Sequence, residues 1–596
     1  MKKSILFALS AFALLGLAGC SSLISSPSSS IASVSSTTET ETTTGGGYST
    51  ISVEEPSSID VSESDGDFQI VTTDGAYEVS ENVYTLTQGG TYTLSGNLEG
   101  QILVAAGDGE ETVLELNGVS IAYGSDSPIK AISGDKLEIS AKADTENLIV
   151  DSRSAKQTDS ETQGEGAISA DLDLKLKGKG VLEVQGNYNN AIHTTKDLTV
   201  QKLTLKATGY NNALKGKDSV TIASGTVQAY AKTGNGIKTE NSDLSSKGNQ
   251  RGTIAISGGT VYVDSLHDGI DATYDVTITE EDSENPVEIT VKTGTNSSFY
   301  SKSSFKADSE KGVKAANEIT MEGGALLVSS SDDAVHANYG EALDNGEKGQ
   351  GNISVSGGTI QVVSGDDGLH ADNTLAISGG KVVVTGATEG FEANYVKISG
   401  GESYIYGTDD GVNCSKKSFN DCSFTMTGGY LDVALKSGDT DGIDSNGSFT
   451  LSGGTIVTRG SPGTQSGMST GLDVDGTASM TGGTLIAFNG LEKTPSTSSS
   501  IRYAGTSGAS SGGMGGGMGG GMGGPGGQSG SGSASLSAGT YVLSGDGISI
   551  SFINEYAYSS FLVYSSSLAL NGSYSLSRNG TSIYTWTQSS SSVTLS

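Results

Sequence analysis

Apolar positions recur along most of the chain in a three-part pattern. In Ile353-Ser354-Val355-Ser356-Gly357-Gly358-Thr359-Ile360-Gln361-Val362, two runs of period two flank a glycine pair. Alternation on both sides of Gly-Gly predicts strand, tight bend, strand. The same arrangement surrounds Gly258-Gly259, Gly323-Gly324, Gly379-Gly380, Gly400-Gly401, Gly428-Gly429, Gly453-Gly454 and Gly482-Gly483. A third element follows: a polar pair, Gly or Ala, an aliphatic or Phe, a polar residue and usually a small one, as in Asp366-Asp367-Gly368-Leu369-His370-Ala371. For the first five glycine pairs the apolar residue lies twelve positions after the first glycine, at Ile270, Val335, Leu369, Phe391 and Val412.

The element extends through Ile129, Ile168, Ile192, Leu214 and Ile237, and through Val313, Ile443 and Leu472, giving thirteen occurrences with a step of 21 to 24 residues where nothing is inserted. Three short strands and three bends fit that length. The predicted fold is all-β: a single-stranded, right-handed parallel β-helix of about thirteen coils, since parallel crossovers favour that hand. Helical repeats are disfavoured, because no segment sustains the i, i+3, i+4 pattern and the glycines would break helices. Val83 to Leu116 is expected to be an N-terminal cap of less regular strands. Tyr541 to Leu595 alternates again and is expected to fold back as a cap or to stand as a small β module.

Composition agrees with a repeat rather than one globular core. Hydrophobic residues make up only 34% of the chain and glycine contributes 87 residues. In a solenoid each unit buries its apolar positions against its neighbours, so short aliphatic stripes suffice. Residues 1–19 read as a lipoprotein signal peptide: Lys2 and Lys3 precede an apolar run that ends in Leu17-Ala18-Gly19-Cys20. Cleavage before Cys20 and lipidation of its thiol is the expectation. Residues 20–58 are a Ser/Thr-rich tether, 59–490 the β-helix, 491–537 a Gly/Met/Ser-rich segment and 538–596 the C-terminal cap or module. The implied location is extracytoplasmic, on a lipid anchor at the cell surface, with the membrane as one partner and the protein expected to be a monomer.

The formal charge of −34 excludes nucleic acid as a natural partner, which needs a basic surface. It suits divalent cations instead. Stacking puts equivalent residues one strand spacing apart, roughly 4.8 Å, so Asp367, Glu389 and Asp410 become neighbours, flanked by Asp366 and Asp409. At an effective dielectric near 20, carboxylates about 5 Å apart repel by about 3 kcal/mol. Such a column binds cations or raises its carboxyl pKa values. Asp268 and Asp271, Asp332 and Asp333, and Asp441 and Asp444 repeat the pattern, and Ca²⁺ bridging between coils is the expected chemistry. The four histidines lie near these loops, but the slot of His193, His336 and His370 holds Lys130, Lys215, Lys238, Lys314, Glu392 and Asn413 elsewhere. They read as ordinary surface histidines.

Tyr188-Asn189-Asn190-Ala191 and Tyr210-Asn211-Asn212-Ala213 match one coil apart. Stacked, they form either a ledge for sugar rings, with the asparagines bonding hydroxyls, or an aromatic ladder that stabilises the coil. Cys414 and Cys422 form either a disulfide or two small buried thiols.

From about Val83 to Gly483 the chain resembles a family of secreted bacterial carbohydrate-binding β-helix proteins related in fold to pectate lyases. The matching features are Tyr84-Thr85-Leu86, Gly90-Thr91-Tyr92-Thr93-Leu94-Ser95-Gly96, Leu114-Glu115-Leu116-Asn117-Gly118-Val119, Gly166-Ala167-Ile168, and the Gly-Gly and Asp-Gly coils. The Met-Gly tract and the stretch from Ser559 to Tyr574 are similar to companions in that family. The resemblance implies binding of cellulose-like or acidic, pectin-like polysaccharides, with calcium in the acidic loops. Asn-Asn in the early coils departs from the family's Asp-Gly.

No catalytic residue is assigned. A lyase of this fold needs a base, commonly arginine beside calcium, and Arg153, Arg251 and Arg459 fall in insertions or bends. Hydrolases of the fold would show Gly-His-Gly and Arg-Ile-Lys, and neither occurs. Acidic pairs that recur coil after coil suit metal binding better than a unique active site. Non-catalytic polysaccharide binding is therefore the expected function, with a calcium-dependent lyase or glycoside hydrolase and a wall adhesin as the alternatives.

Overall fold

The computed structural model describes residues 52–157, 163–436, 440–462, 469–507 and 536–596. Cys20, the signal peptide and the Met-Gly tract lie outside them.

The body is an all-β parallel solenoid whose strands fall into three long faces. On the first, the repeat aliphatics stand in one column: Ile192 pairs with Leu214, Leu214 with Ile237, Ile237 with Ile270, Leu369 with Phe391, and Phe391 with Val412. The second and third faces stack the two alternating runs. Val355, Ile377, Ile398 and Met426 line the second, and Val362, Val384 and Ile405 line the third. All of these side chains are buried, at 2% exposure or less. The period-two pattern therefore sends one side chain in two to a continuous interior, and each coil covers the apolar layer of the next.

Glycine acts at the bends for two separate reasons. The second residue of the pair is left-handed, as at Gly401 (φ +75), where an added Cβ would lie 2.7 Å from the carbonyl oxygen of Gly379. The glycine before the repeat aliphatic is needed for space: a Cβ on Gly411 would stand 2.0 Å from Val433 Cγ1.

Two expectations need correction. Val83–Leu86 is not part of an irregular cap, because it pairs in parallel and in register with Gln101–Ala105. The antiparallel strands that shield the N-terminal end come earlier: Gln69–Thr72 pairs with Gly90–Glu99, and Tyr77–Ser80 with Val83–Leu86. Nor are all the tether residues before 59 detached. Ser57 O accepts a hydrogen bond from Gln228 Nε2 at 3.0 Å, and Glu55 pairs with Lys292 at 3.2 Å. Cys414 and Cys422 are buried free thiols, Cys422 Sγ donating to the Cys414 carbonyl oxygen at 3.0 Å.

At the far end Phe561–Ser565 pairs antiparallel with Thr484–Phe488, closing an exposed strand edge. Four antiparallel strands, Gly539–Gly545, Ile548–Asn554, Ser573–Arg578 and Thr581–Thr587, form a separate sheet. Its side chains Tyr541, Leu543 and Phe552 join Val457, Ile486 and Phe488 of the solenoid in one apolar cluster. Arg459 stands in the strand Thr455–Arg459, not in a bend, and is fully buried at this junction.

Candidate functional site

The first face and the loop leading into it carry the chemistry. Two polar positions matter in each coil, one two residues before the repeat aliphatic and one directly after it. The bend at the intervening Gly or Ala brings their side chains together. His336 Nδ1 lies 2.5 Å from Asp333 Oδ2, and His370 Nδ1 lies 3.0 Å from Asp367 Oδ2. The position after the aliphatic forms a column across coils, running His193, Lys215, Lys238, Asp271, Lys314, His336, His370, Glu392, Asn413, Asp444 and Asp473.

The acidic and amide residues before the aliphatic have an architectural task. Asp333 Oδ1 accepts the backbone N–H of Asp367 at 3.0 Å, Asp367 Oδ1 that of Glu389 at 3.2 Å, and Asp410 Oδ1 that of Asp441 at 2.8 Å. Asn190 Oδ1 takes the N–H of Asn212, and Asn212 Oδ1 that of Asn235, at 3.3 and 3.0 Å. Asn and Asp are thus equivalent for the ladder, which explains why Asn-Asn coils and Asp-Gly coils stack on one another. Only the second oxygen of each carboxylate is left for a ligand.

The residues expected to bind cations separate into four groups by what neutralises them. Asp271 pairs with Lys238 at 2.5 Å and Asp268 faces Lys314 at 3.6 Å. Asp332 and Asp333 share Lys311 at 2.7 and 3.1 Å, Asp333 and Asp367 face the two imidazoles, and Asp366 is exposed beside them. Glu389 accepts from Asn413 Nδ2 at 2.8 Å, and burial with the Glu392 and Asp367 carboxylates pushes its pKa up. At Asp409, Asp410, Asp441 and Asp444 the balance differs. Among the described residues no lysine or arginine pairs with Asp410 or Asp444, and burial together with surrounding carboxylates pushes both up to about 7. Asp473 and Asp475 add to the charge around Asp444.

This imbalance gives a testable pH dependence. The folded pKa of Asp410 and Asp444 lies above the unfolded value, so the folded state binds more protons between about pH 4 and pH 7, and stability falls as pH rises through that window. His193, buried and lowered to about 4, gives the opposite slope but is outnumbered, since Asp367, Glu389 and Glu492 are also raised, to about 6, 8 and 7. Asp333 and Asp372, held low by the neighbouring His336 and His370 imidazoles against the effect of burial, change protonation only below the window. Metal-free protein should melt on the order of 5 °C higher near pH 5 than near pH 7.5. Differential scanning calorimetry checks this, and a melting point that is flat or rises toward pH 7.5 contradicts it.

The six residues expected to meet sugar do not form an open ledge. Tyr188 is buried, with the Arg153 guanidinium 3.9 Å over its ring. Asn189 is held by Glu165, and Asn190 and Asn212 are spent in the ladder. Tyr210 and Asn211 remain half-buried. An aromatic patch that the repeat pattern did not reveal lies farther along the solenoid. Tyr339 and Phe419 pack at 4.6 Å between ring centroids, Phe419 and Tyr395 at 5.8 Å, and Tyr339 is 37% exposed. Tyr339 N donates to Asp372 Oδ2 at 2.8 Å, so the patch borders the histidines. Tyr339 opens the short inserted strand Tyr339–Ala342, which pairs antiparallel with Lys348–Gln350, and Phe419 sits in a loop; both are insertions to the repeat, where periodicity gives no signal. Each insertion carries a single aromatic residue, Tyr339 in one and Phe419 in the other, so neither marks a patch by itself.

The histidines expected at an ordinary surface are also different from that reading. His336 and His370 stack at 4.3 Å between centroids with 11° between planes, and their side chains are 12% and 11% exposed. Burial opposes the charge on His370, but Asp333, Asp367 and Asp372 outweigh it and push its pKa up to about 12.

Residues 80–348 and 342–493 match the family described as carbohydrate-binding domain-containing protein. A carbohydrate-binding domain-containing protein of Acetivibrio thermocellus is 36% identical over 133 residues, 22% of this chain and 46% of that protein. The match therefore spans less than half of that relative's length. A solved structure described as the polysaccharide lyase-like protein from C. thermocellum, gadolinium derivative, is 31% identical, with a TM-score of 0.33, covering 42% of this chain and 89% of the other.

Proposed function

The chain belongs to the family of carbohydrate-binding domain-containing proteins, and from that premise we propose that its solenoid is a non-catalytic polysaccharide-binding module held at the cell surface. In this reading the leader ending at Cys20 supplies a lipid anchor, and the module is one right-handed stack of about thirteen coils from Ile129 to Leu472. The observation that carries the site assignment is the patch of Tyr339, Phe419 and Tyr395 beside a row of carboxylates. Aromatic faces accept the apolar face of a pyranose, and adjacent polar groups fix its hydroxyls.

Calcium fits this reading at one edge. Asp410, Asp441, Asp444 and Asp473 offer oxygen donors only, and the pKa of about 7 at Asp410 and Asp444 marks negative charge that no described lysine or arginine offsets. A cation there would lower the repulsion between coils and could link the protein to an acidic glycan. Asp268 and Asp271 fit calcium less well, since Lys314 and Lys238 already occupy them.

Retention of the protein on insoluble cellulose, pectate and peptidoglycan, with and without chelator, tests the proposal. The expected result is binding to cellulose or pectate with no reducing ends and no unsaturated product released. Tyr339→Ala with Phe419→Ala should weaken retention about tenfold, a loss of roughly 1.4 kcal/mol in line with the weight of one or two aromatic contacts. Product formation would replace the proposal with an enzyme, and absence of retention on every glycan would replace it with an adhesin.

A further inference from the structure

The loops at His336 and His370 bring together groups that an all-oxygen calcium site does not use. Asp333, His336 and His370 form one of the groups in which one ligand atom from each residue lies within 4.8 Å of the others. Asp333 Oδ2 is 2.5 Å from His336 Nδ1 and 3.7 Å from His370 Nδ1, and His370 Nδ1 is 3.0 Å from Asp367 Oδ2. Donors around a tetrahedral zinc with bonds near 2.0 Å are roughly 3.3 Å apart, and these separations bracket that value.

The opposite edges of both rings are backed in the manner of metal-ligating histidines. His336 Nε2 and His370 Nε2 face the same Asp372 Oδ1, at 3.7 and 3.3 Å, and Glu392 Oε2 lies 3.3 Å from His370 Nε2. A carboxylate behind the imidazole orients the ring, holds the proton on Nε2 and leaves Nδ1 as a donor to metal. His370 is 9% exposed, and its Nδ1 has no partner in hydrogen-bond geometry, although it points at Asp367 and Asp333. Imidazole with carboxylate selects zinc-like cations, whereas calcium takes oxygen.

We propose that Asp333, His336 and His370, with Asp367 as a fourth donor, form a binding site for a divalent transition-metal cation of the zinc type, separate from the oxygen-only edge at Asp410 and Asp444. The stacked pair belongs to two successive coils, so the metal joins them. Lys311, 3.1 Å from Asp333 Oδ2 and 2.7 Å from Asp332 Oδ2, retains Asp332 as its partner when the metal takes Asp333. The site stands independently of whether the solenoid binds glycan.

The test titrates the full chain, stripped with chelator, with zinc in competition with a chromophoric chelator. The expected result is one zinc per chain with micromolar or tighter affinity, unaffected by excess calcium. His336→Gln with His370→Gln should weaken binding by more than about 100-fold, and Asp372→Asn by about 10–100-fold through loss of ring orientation. Asp410→Asn should leave zinc affinity unchanged. Cobalt(II) bound to the wild-type chain reads the ligands without any substitution, and intense visible bands of a nitrogen-containing low-coordinate site are expected. Zinc binding that is weaker than about 100 μM, zinc binding that persists in the double glutamine variant, or a weak octahedral cobalt spectrum would each overturn the site.

Discussion

Arg459→Ala lowers stability by about 3–5 kcal/mol, the cost of leaving a buried charge without its partner, and detaches the C-terminal sheet from the solenoid. The guanidinium is fully buried and links the two parts. On the solenoid side it reaches Asp432 and donates to the Val433 carbonyl oxygen at 2.8 Å. On the C-terminal side it donates to Asn554 Oδ1 at 2.7 Å and to the Ile553 carbonyl oxygen at 2.9 Å, and lies 5.7 Å from the Phe552 ring centroid. Alanine removes the cation beside the buried Asp432 carboxylate, whose Oδ2 keeps only neutral donation such as the Tyr430 hydroxyl at 3.0 Å, and takes one donor from the Val433 and Ile553 carbonyls. Trp586, the one tryptophan of the chain, sits in this sheet and is 8% exposed. Its fluorescence should therefore shift to the red in the variant at urea concentrations that leave the solenoid's circular dichroism intact. Coincident loss of both signals, with an unchanged midpoint, would refute the docking role.

Phe424→Ala costs about 3–5 kcal/mol by the same kind of accounting, here the lost transfer energy of the ring plus the cavity it leaves. Phe424 is fully buried in the second face, where it pairs with Val396 on one side and Phe449 on the other. The two rings stack at 5.3 Å with 8° between planes. A solenoid gains its stability from each unit and from each contact between neighbours. A cavity between two coils weakens both terms at one point along the stack. Urea unfolding should show a broadened or two-step transition for the alanine variant, while Phe424→Leu should recover more than half of the loss. A single cooperative transition within about 1 kcal/mol of wild type would show that the coil relaxes around the hole.

Several features of the site were legible only in part because of where the relevant neighbours lie. The column of acidic residues could be read from Asp367, Glu389 and Asp410, since equivalent positions in successive coils must be adjacent. Its use could not. Whether a carboxylate meets Lys238, His370 or nothing depends on the side chain after the aliphatic and on the turn between them, and that turn folds Asp333 back onto His336. Reading the slot after the aliphatic as a variable outward position treated each histidine separately, whereas registration puts His336 directly beside His370. Tyr188 lost its expected role to Arg153, a residue from an earlier loop whose approach no local pattern announces.

By itself the amino-acid sequence determined the strand alternation, the glycine bends and the alignment of Leu369, Phe391 and Val412. These follow from period-two burial and from glycine's access to positive φ, both properties of a few consecutive residues. Tertiary structure alone decided which charges are neutralised, which rings remain open and how Arg459 joins Asn554 across 95 positions of chain. Those outcomes depend on side chains from different loops meeting in three dimensions, where a change of a few ångströms exchanges an ion pair for an open carboxylate.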